Sequence, residues 1–186
     1  MKLKTILILT MLIVAPVTFA QETPASADQI MKEALLKASK ENKAVLLMFH
    51  ASWCGWCKKM DASMKDEATR DFFDKNYVIA HMVVKESPQN KNLENPGAEE
   101  FLAKYHGDKS GIPFWLIFDK NGKLMADSFI RDEGVGMDQP GSNIGCPAQE
   151  DEIMAFIDKL KTTSSPTKAE EAAIIERFKQ NAPVRK

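Results

Sequence analysis

No charge of either sign dominates this chain of 186 residues: 25 lysines and arginines face 26 acidic residues, for a formal net charge of −1. Without a basic patch or a strong acidic bias, nucleic acid and anionic membrane surfaces are poor candidates as partners. Histidine is scarce, with three residues, and so is cysteine, with three. Beyond Cys54 and Cys57, only Cys146 and the scattered His50, His81 and His106 remain. A zinc site, which needs four ligands at matched spacing, is therefore disfavoured, and no metal is expected. Internal repeats and low-complexity segments are absent. A long hydrophobic run is also missing after the N-terminus.

The run at the N-terminus reads as an address. Lys2 and Lys4 precede the apolar stretch Ile6 to Val14, Pro16 breaks it, and Thr18-Phe19-Ala20 offers small residues around a cut before Gln21. That three-part pattern predicts a secretory signal peptide over residues 1–20, cleaved near Ala20/Gln21. An uncleaved anchor competes, but the apolar stretch falls short of the ~20 residues that span a bilayer. No cysteine sits at the cut, so a lipoprotein anchor is not suggested. Removing Lys2 and Lys4 takes the formal charge to −3. The remaining length fits one domain with a substantial core. Export to the periplasm or beyond implies an oxidising compartment, where Cys54 and Cys57 can pair and Cys146 is left over.

The order of elements follows from local signals. Ser26 and Gln29 have capping-box spacing, and Ile30, Ala34, Leu35 and Ala38 follow at helical intervals to about Asn42. Val45 to Phe49 is unbroken apolar sequence, as a strand buried on both faces requires. A helix opens at Cys54 and runs to about Met64, and helical character continues over Glu67 to Lys75. Tyr77 to Val84 predicts a second central strand, Glu86 to Pro96 a polar loop, and Ala98 to Tyr105 a helix. Phe114 to Phe118 predicts a strand, Asp119-Lys120-Asn121-Gly122 a hairpin turn, and Lys123 to Asp127 the antiparallel return. Gly134 to Pro147 reads as a long loop. Ile153, Met154, Phe156, Ile157 and Leu160 mark an amphipathic helix that Lys161 to Ser165 breaks. A last helix opens at Ser165-Pro166, with Pro166 at the first helical position, and ends near Gln180. The fold class is α/β, a central mixed sheet with helices on both faces and an added C-terminal helix. The expected division is signal peptide 1–20, domain 21–161 and extension 162–186.

A Cys-x-x-Cys pair at a helix start has a specific chemical use. Unpaired backbone N–H groups and the positive end of the helix dipole favour the first sulfur as thiolate, hence as a nucleophile. Cys54 is the candidate nucleophile. Cys57, within the helix and less exposed, is the candidate resolving thiol. A structural disulfide remains open as an alternative. Trp53 and Trp56 argue against it, because exposed indoles beside the pair suit docking of a client chain. Cys146 is open between a buried inert thiol and a regulatory or intermolecular disulfide. Lys58 and Lys59 add positive potential near the helix start or are merely solvated.

The segment Met48-Phe49-His50-Ala51-Ser52-Trp53-Cys54-Gly55-Trp56-Cys57-Lys58-Lys59-Met60 resembles the strand, active-site loop and helix of the thioredoxin family. Gly111-Ile112-Pro113-Phe114 resembles its second signature, in which the proline is cis and faces the cysteine pair. Pro113 follows Cys57 by 56 residues, and the resemblance covers roughly Lys43 to Leu160. It implies a thiol–disulfide oxidoreductase of the protein-disulfide reductase type, with no cofactor beyond the redox-active Cys54–Cys57 disulfide. The implied groove is formed by Trp53, Gly55, Trp56, Ile112 and Pro113, with the Ile112 backbone pairing to a client chain. Implied partners are disulfide-containing exported proteins and a membrane electron donor. Oxidising members of the family often place histidine between the cysteines; Gly55-Trp56 here points to reduction or isomerisation. Two departures concern proton transfer. Met48 stands where thioredoxin has a buried aspartate, and His81 matches the position of a lysine in the next central strand. Histidine titrates near neutrality, so His81 is a candidate proton carrier, and His50 is a second one. A histidine bonded to a neighbouring backbone is the simpler reading of His81, and helix capping that of His106. Two other functions stay open: a non-catalytic client-binding module and, more weakly, a copper carrier using the soft sulfurs.

Overall fold

The computed structural model describes residues 23–183. The expected signal peptide lies outside them. Among the described residues, no helix is long and apolar enough to cross a membrane.

Ser26 opens α1 (Ala27–Glu41) by accepting the Gln29 N–H, and Asn42 closes it with a left-handed φ of 55°. Met31, Ala34 and Ala38 recur on one face of this helix and are buried. β1 (Ala44–His50) follows at once and is buried along nearly its whole length. After the loop Ala51–Cys54 come α2 (Gly55–Met64), α3 (Arg70–Asn76) and β2 (Tyr77–Val83). α4 (Ala98–Lys104), β3 (Phe114–Phe118) and β4 (Leu124–Asp127) complete the central part. The β3–β4 hairpin turns through Gly122 at φ 85°, a conformation a side chain would strain. α5 (Glu150–Thr163) and α6 (Lys168–Lys179) end the described chain.

The four strands stand in the order β2-β1-β3-β4. β1 and β2 are parallel, with Met48 opposite His81, whereas β1–β3 and β3–β4 are antiparallel. The sheet is therefore mixed, as expected. Alternation along β1 divides the core into two layers. Leu46 and Met48 join Trp115 and Ile117 under Met60, Phe73, Phe156, Leu160, Ile174 and Phe178 of α2, α3, α5 and α6. Val45, Leu47 and Phe49 face the opposite side, with Leu116 and residues of α1 and α4. A large apolar side chain contributes about 1.5–3 kcal/mol when fully buried, so the doubly covered β1 anchors both layers.

Five local expectations need correction. Helical character begins at Arg70 of α3, after a turn, rather than at Glu67. The Glu86–Pro96 loop contains a 3-10 helix at Pro88–Leu93. The Gly134–Pro147 loop contributes β6 (Ser142–Asn143), which pairs antiparallel with β5 (Phe129–Ile130). α5 continues to Thr163 rather than breaking at Lys161. The last helix starts later than Pro166: Thr167 is its N-cap, accepting the Glu170 N–H, while the Glu170 carboxylate accepts the Thr167 N–H. The reciprocal pair satisfies two backbone donors that a start at Pro166 would leave without these partners.

Candidate functional site

β1 delivers the chain to a tight loop, and Cys54 is the N-cap of α2. Its Sγ accepts the Cys57 N–H at 3.1 Å, and its own N–H donates to Ala51 O. Cys54 and Cys57 are joined as a disulfide, with Cα atoms 5.3 Å apart. The expected difference in exposure is absent in this oxidised state, since both cysteines are 2% exposed. The asymmetry lies in surroundings instead. Cys54 caps the helix, while Cys57 lies within its first turn.

The Ile112-Pro113 peptide bond is cis. Ile112 O lies 3.6 Å from Cys54 Sγ, so the loop before β3 faces the pair. Asn143 of β6 braces this loop, its Nδ2 donating to Gly111 O at 2.9 Å and Pro113 O at 3.2 Å. Trp53 and Trp56 are exposed beside the cysteines, at 58% and 41%. Trp53 Nε1 donates to Lys85 O, and the Lys59 ammonium sits 4.5 Å over the Trp56 ring.

Residues with no motif in the sequence hold this arrangement. Glu86, within the expected polar loop, accepts from both Ser52 N–H and Ser52 Oγ, which fixes the turn before Cys54. The preceding Lys85, with φ 55°, donates to Asp108 O at 2.8 Å and Ser110 O at 2.7 Å. Adjacent residues thus tie the cysteine loop to the segment that leads into Ile112-Pro113. Their sequence signal is weak, because Lys-Glu at a strand end looks like ordinary surface.

His81 is bonded to a side chain rather than to backbone. Its Nε2 lies 2.9 Å from Asp61 Oδ1 of α2, and its ring meets the His50 ring edge-on at 5.2 Å. Burial, and then the charge of His81, lower the His50 pKa below 6.5. Burial pushes the Asp61 carboxyl up, but the His81 bond and charge, with Lys65 and His50, outweigh it and leave the pKa lowered. His106 follows α4 with φ 62°, just past the helix end.

Cys146 is a buried free thiol, and burial pushes its pKa up to about 12. At that value it is a poor nucleophile near neutrality. It lines a groove together with Trp56, Ile112, Pro113, Ile144 and Pro183.

The family model of a thioredoxin-like domain matches residues 31–133. None of the curated proteins matches the chain. Among solved structures, the disulphide isomerase from Xylella fastidiosa Temecula1 is 26% identical, over 58% of this chain and 80% of its own, with a TM-score of 0.45. A DsbH oxidoreductase is 22% identical, over 80% and 88%, with a TM-score of 0.37. The oxidised C-terminal domain of Neisseria meningitidis DsbD is 18% identical, over 73% and 97%, with a TM-score of 0.41. The family match takes in more than half of the sequence and both the Cys54-Gly55-Trp56-Cys57 and Ile112-Pro113 segments. The chain belongs to the thioredoxin-like family.

Proposed function

We propose that this protein is an exported thiol–disulfide oxidoreductase that reduces or isomerises disulfides in exported proteins. The observation that carries the proposal is Cys54 Sγ at the α2 N-cap, accepting the Cys57 N–H and facing Ile112 O. A thiolate at that point is stabilised by the backbone donor and the helix dipole.

In the reduced protein, the Cys54 thiolate attacks one sulfur of a client disulfide. A mixed disulfide forms and one client sulfur leaves as thiolate. Cys57, deprotonated, then attacks Cys54 Sγ, releasing the second client sulfur and re-forming the Cys54–Cys57 disulfide. Two electrons pass from the protein dithiol to the client. An external dithiol, supplied by a membrane electron donor, restores the reduced pair. In isomerisation the client's own thiol displaces Cys54, and no net electron transfer occurs. Trp53, Gly55, Trp56, Ile112 and Pro113 form the client-binding surface, while His81 or His50 accepts the Cys57 proton.

The N-terminal pattern of Lys2, Lys4, the apolar run and Ala20/Gln21 supports export to the periplasm or medium. Reduction of insulin by the full mature chain with dithiothreitol tests the activity. Precipitation of the insulin B chain faster than with dithiothreitol alone is the expected result. No acceleration, with binding of unfolded chains retained, would instead identify a client-binding module.

A further inference from the structure

The C-terminal turn after α6 reaches the groove beside the cysteine pair. Asn181 is 3% exposed and 118 residues away in sequence from Ser63, yet its side chain joins three segments. Its Nδ2 lies 2.9 Å from Ser63 Oγ of α2 and 3.4 Å from Cys146 Sγ, and donates to Pro147 O at 3.3 Å. Its backbone carbonyl accepts from Lys59 Nζ at 2.8 Å, the same ammonium that covers Trp56. Arg177 adds an ion pair to Asp66 at 2.7 Å. These bonds hold the turn against the active-site helix, and Pro183 then lines a groove of about 330 Å³ with Trp56, Ile112, Pro113, Ile144 and Cys146.

Two polar side chains of this groove, Asn143 and Glu152, are already engaged. Asn143 donates to Gly111 O and Pro113 O and accepts the Gly145 N–H. Glu152 Oε2 accepts the Ala148 and Gln149 N–H groups. Apolar side chains supply most of the rest of the lining, Gln149 adds an exposed amide, and the Glu152 charge opposes an acidic group. Resting on the oxidoreductase reading, we propose that the turn Asn181–Pro183, latched by Asn181, is a built-in wall of the client groove. It selects an extended client with an apolar side chain beside its disulfide cysteine.

The experiment uses the full mature chain, in its natural, Asn181→Ala and Pro183→Ser forms, with disulfide peptides carrying Leu, Ser or Glu beside the cysteine. The natural chain favours Leu over Glu by about tenfold in kcat/KM, the range a hydrophobic pocket affords. Both variants lose most of that preference, with the loss in KM for the Leu peptide rather than in kcat. Alkylation of Cys146, with Cys54–Cys57 kept oxidised, accelerates in Asn181→Ala. Pro183→Ser, which removes no buried hydrogen bond, carries the test if Asn181→Ala fails to fold. Equal rates for the three peptides, or an unchanged preference in the variants, overturn the proposed wall. A natural chain that reduces none of the peptides overturns the oxidoreductase reading instead.

Discussion

His81 Nε2 stands 2.9 Å from Asp61 Oδ1, a bond that ties the second central strand to the helix carrying the cysteines. Register explains how the imidazole reaches that layer. His81 pairs with Met48, and Met48 belongs to the core layer containing Cys54, Cys57 and Met60. Ile79, two residues earlier on β2, packs into the same layer. Strand alternation therefore puts His81 on the face where α2 packs, the condition a proton carrier for Cys57 must meet. Asp61 follows Cys57 by one helical turn and gives the imidazole an anionic partner.

Resolution requires a Cys57 thiolate, and burial disfavours charge on that sulfur. Met48 cannot take its proton. His81→Ala is expected to slow resolution near neutral pH by about 10²-fold or less, because water substitutes in part, while attack by Cys54 is nearly intact. Stopped-flow kinetics of the two steps distinguish the roles. A resolution rate unchanged across about pH 6 to 8 would make His81 purely structural.

His50 predicts an acid sensitivity. Burial and the neighbouring His81 hold its pKa below 6.5, so the folded state binds fewer protons there than the unfolded chain. Stability from this group then rises with pH through the interval just below 6.5 and is lost on acidification. Asp61 titrates below its ordinary 3.8 and adds nothing in that interval. Thermal denaturation between about pH 7.5 and 5.5 should show a shallower fall in Tm for His50→Phe than for the natural chain. Equal slopes would assign the acid sensitivity elsewhere.

The tail helix contributes to the main core. Phe178 is fully buried, with its ring 5.2 Å from Phe156 and 6.5 Å from Phe73. Phe178→Ala is expected to cost about 3–5 kcal/mol in urea denaturation. A chain ending at Lys161 should lose more, since Ile174 goes as well. Stability equal to the full mature chain would show that α6 covers surface without stabilising it.

What was legible in the sequence was local. Ser26, the apolar run of β1 and the Asn121-Gly122 turn act over a few residues, and each element appears where its signal stands. The start of α6 was misplaced because Pro166 reads as a first helical position, whereas the reciprocal Thr167–Glu170 bonds set it at Lys168. The β5–β6 ribbon was hidden because Ser142-Asn143 carries no strand pattern and its partner lies across a loop. The cysteine pair and Pro113 were visible as motifs. Asp61, Glu86 and Asn181 were not, because their importance comes from contacts between residues 20, 34 and 118 positions apart. Polar residues of those types are usually solvated surface, and only the fold distinguishes these three.

The most direct test of the account is the species trapped on Cys54. Incubating the reduced Cys57→Ser chain with a disulfide-containing client, then separating products without reductant, should accumulate a mixed disulfide that mass mapping places at Cys54. Cys54→Ser should give no such species and no turnover. A Cys57→Ser chain that traps nothing, beside a Cys54→Ser chain that still reduces the client, would contradict the assignment of Cys54 as nucleophile and Cys57 as resolving thiol.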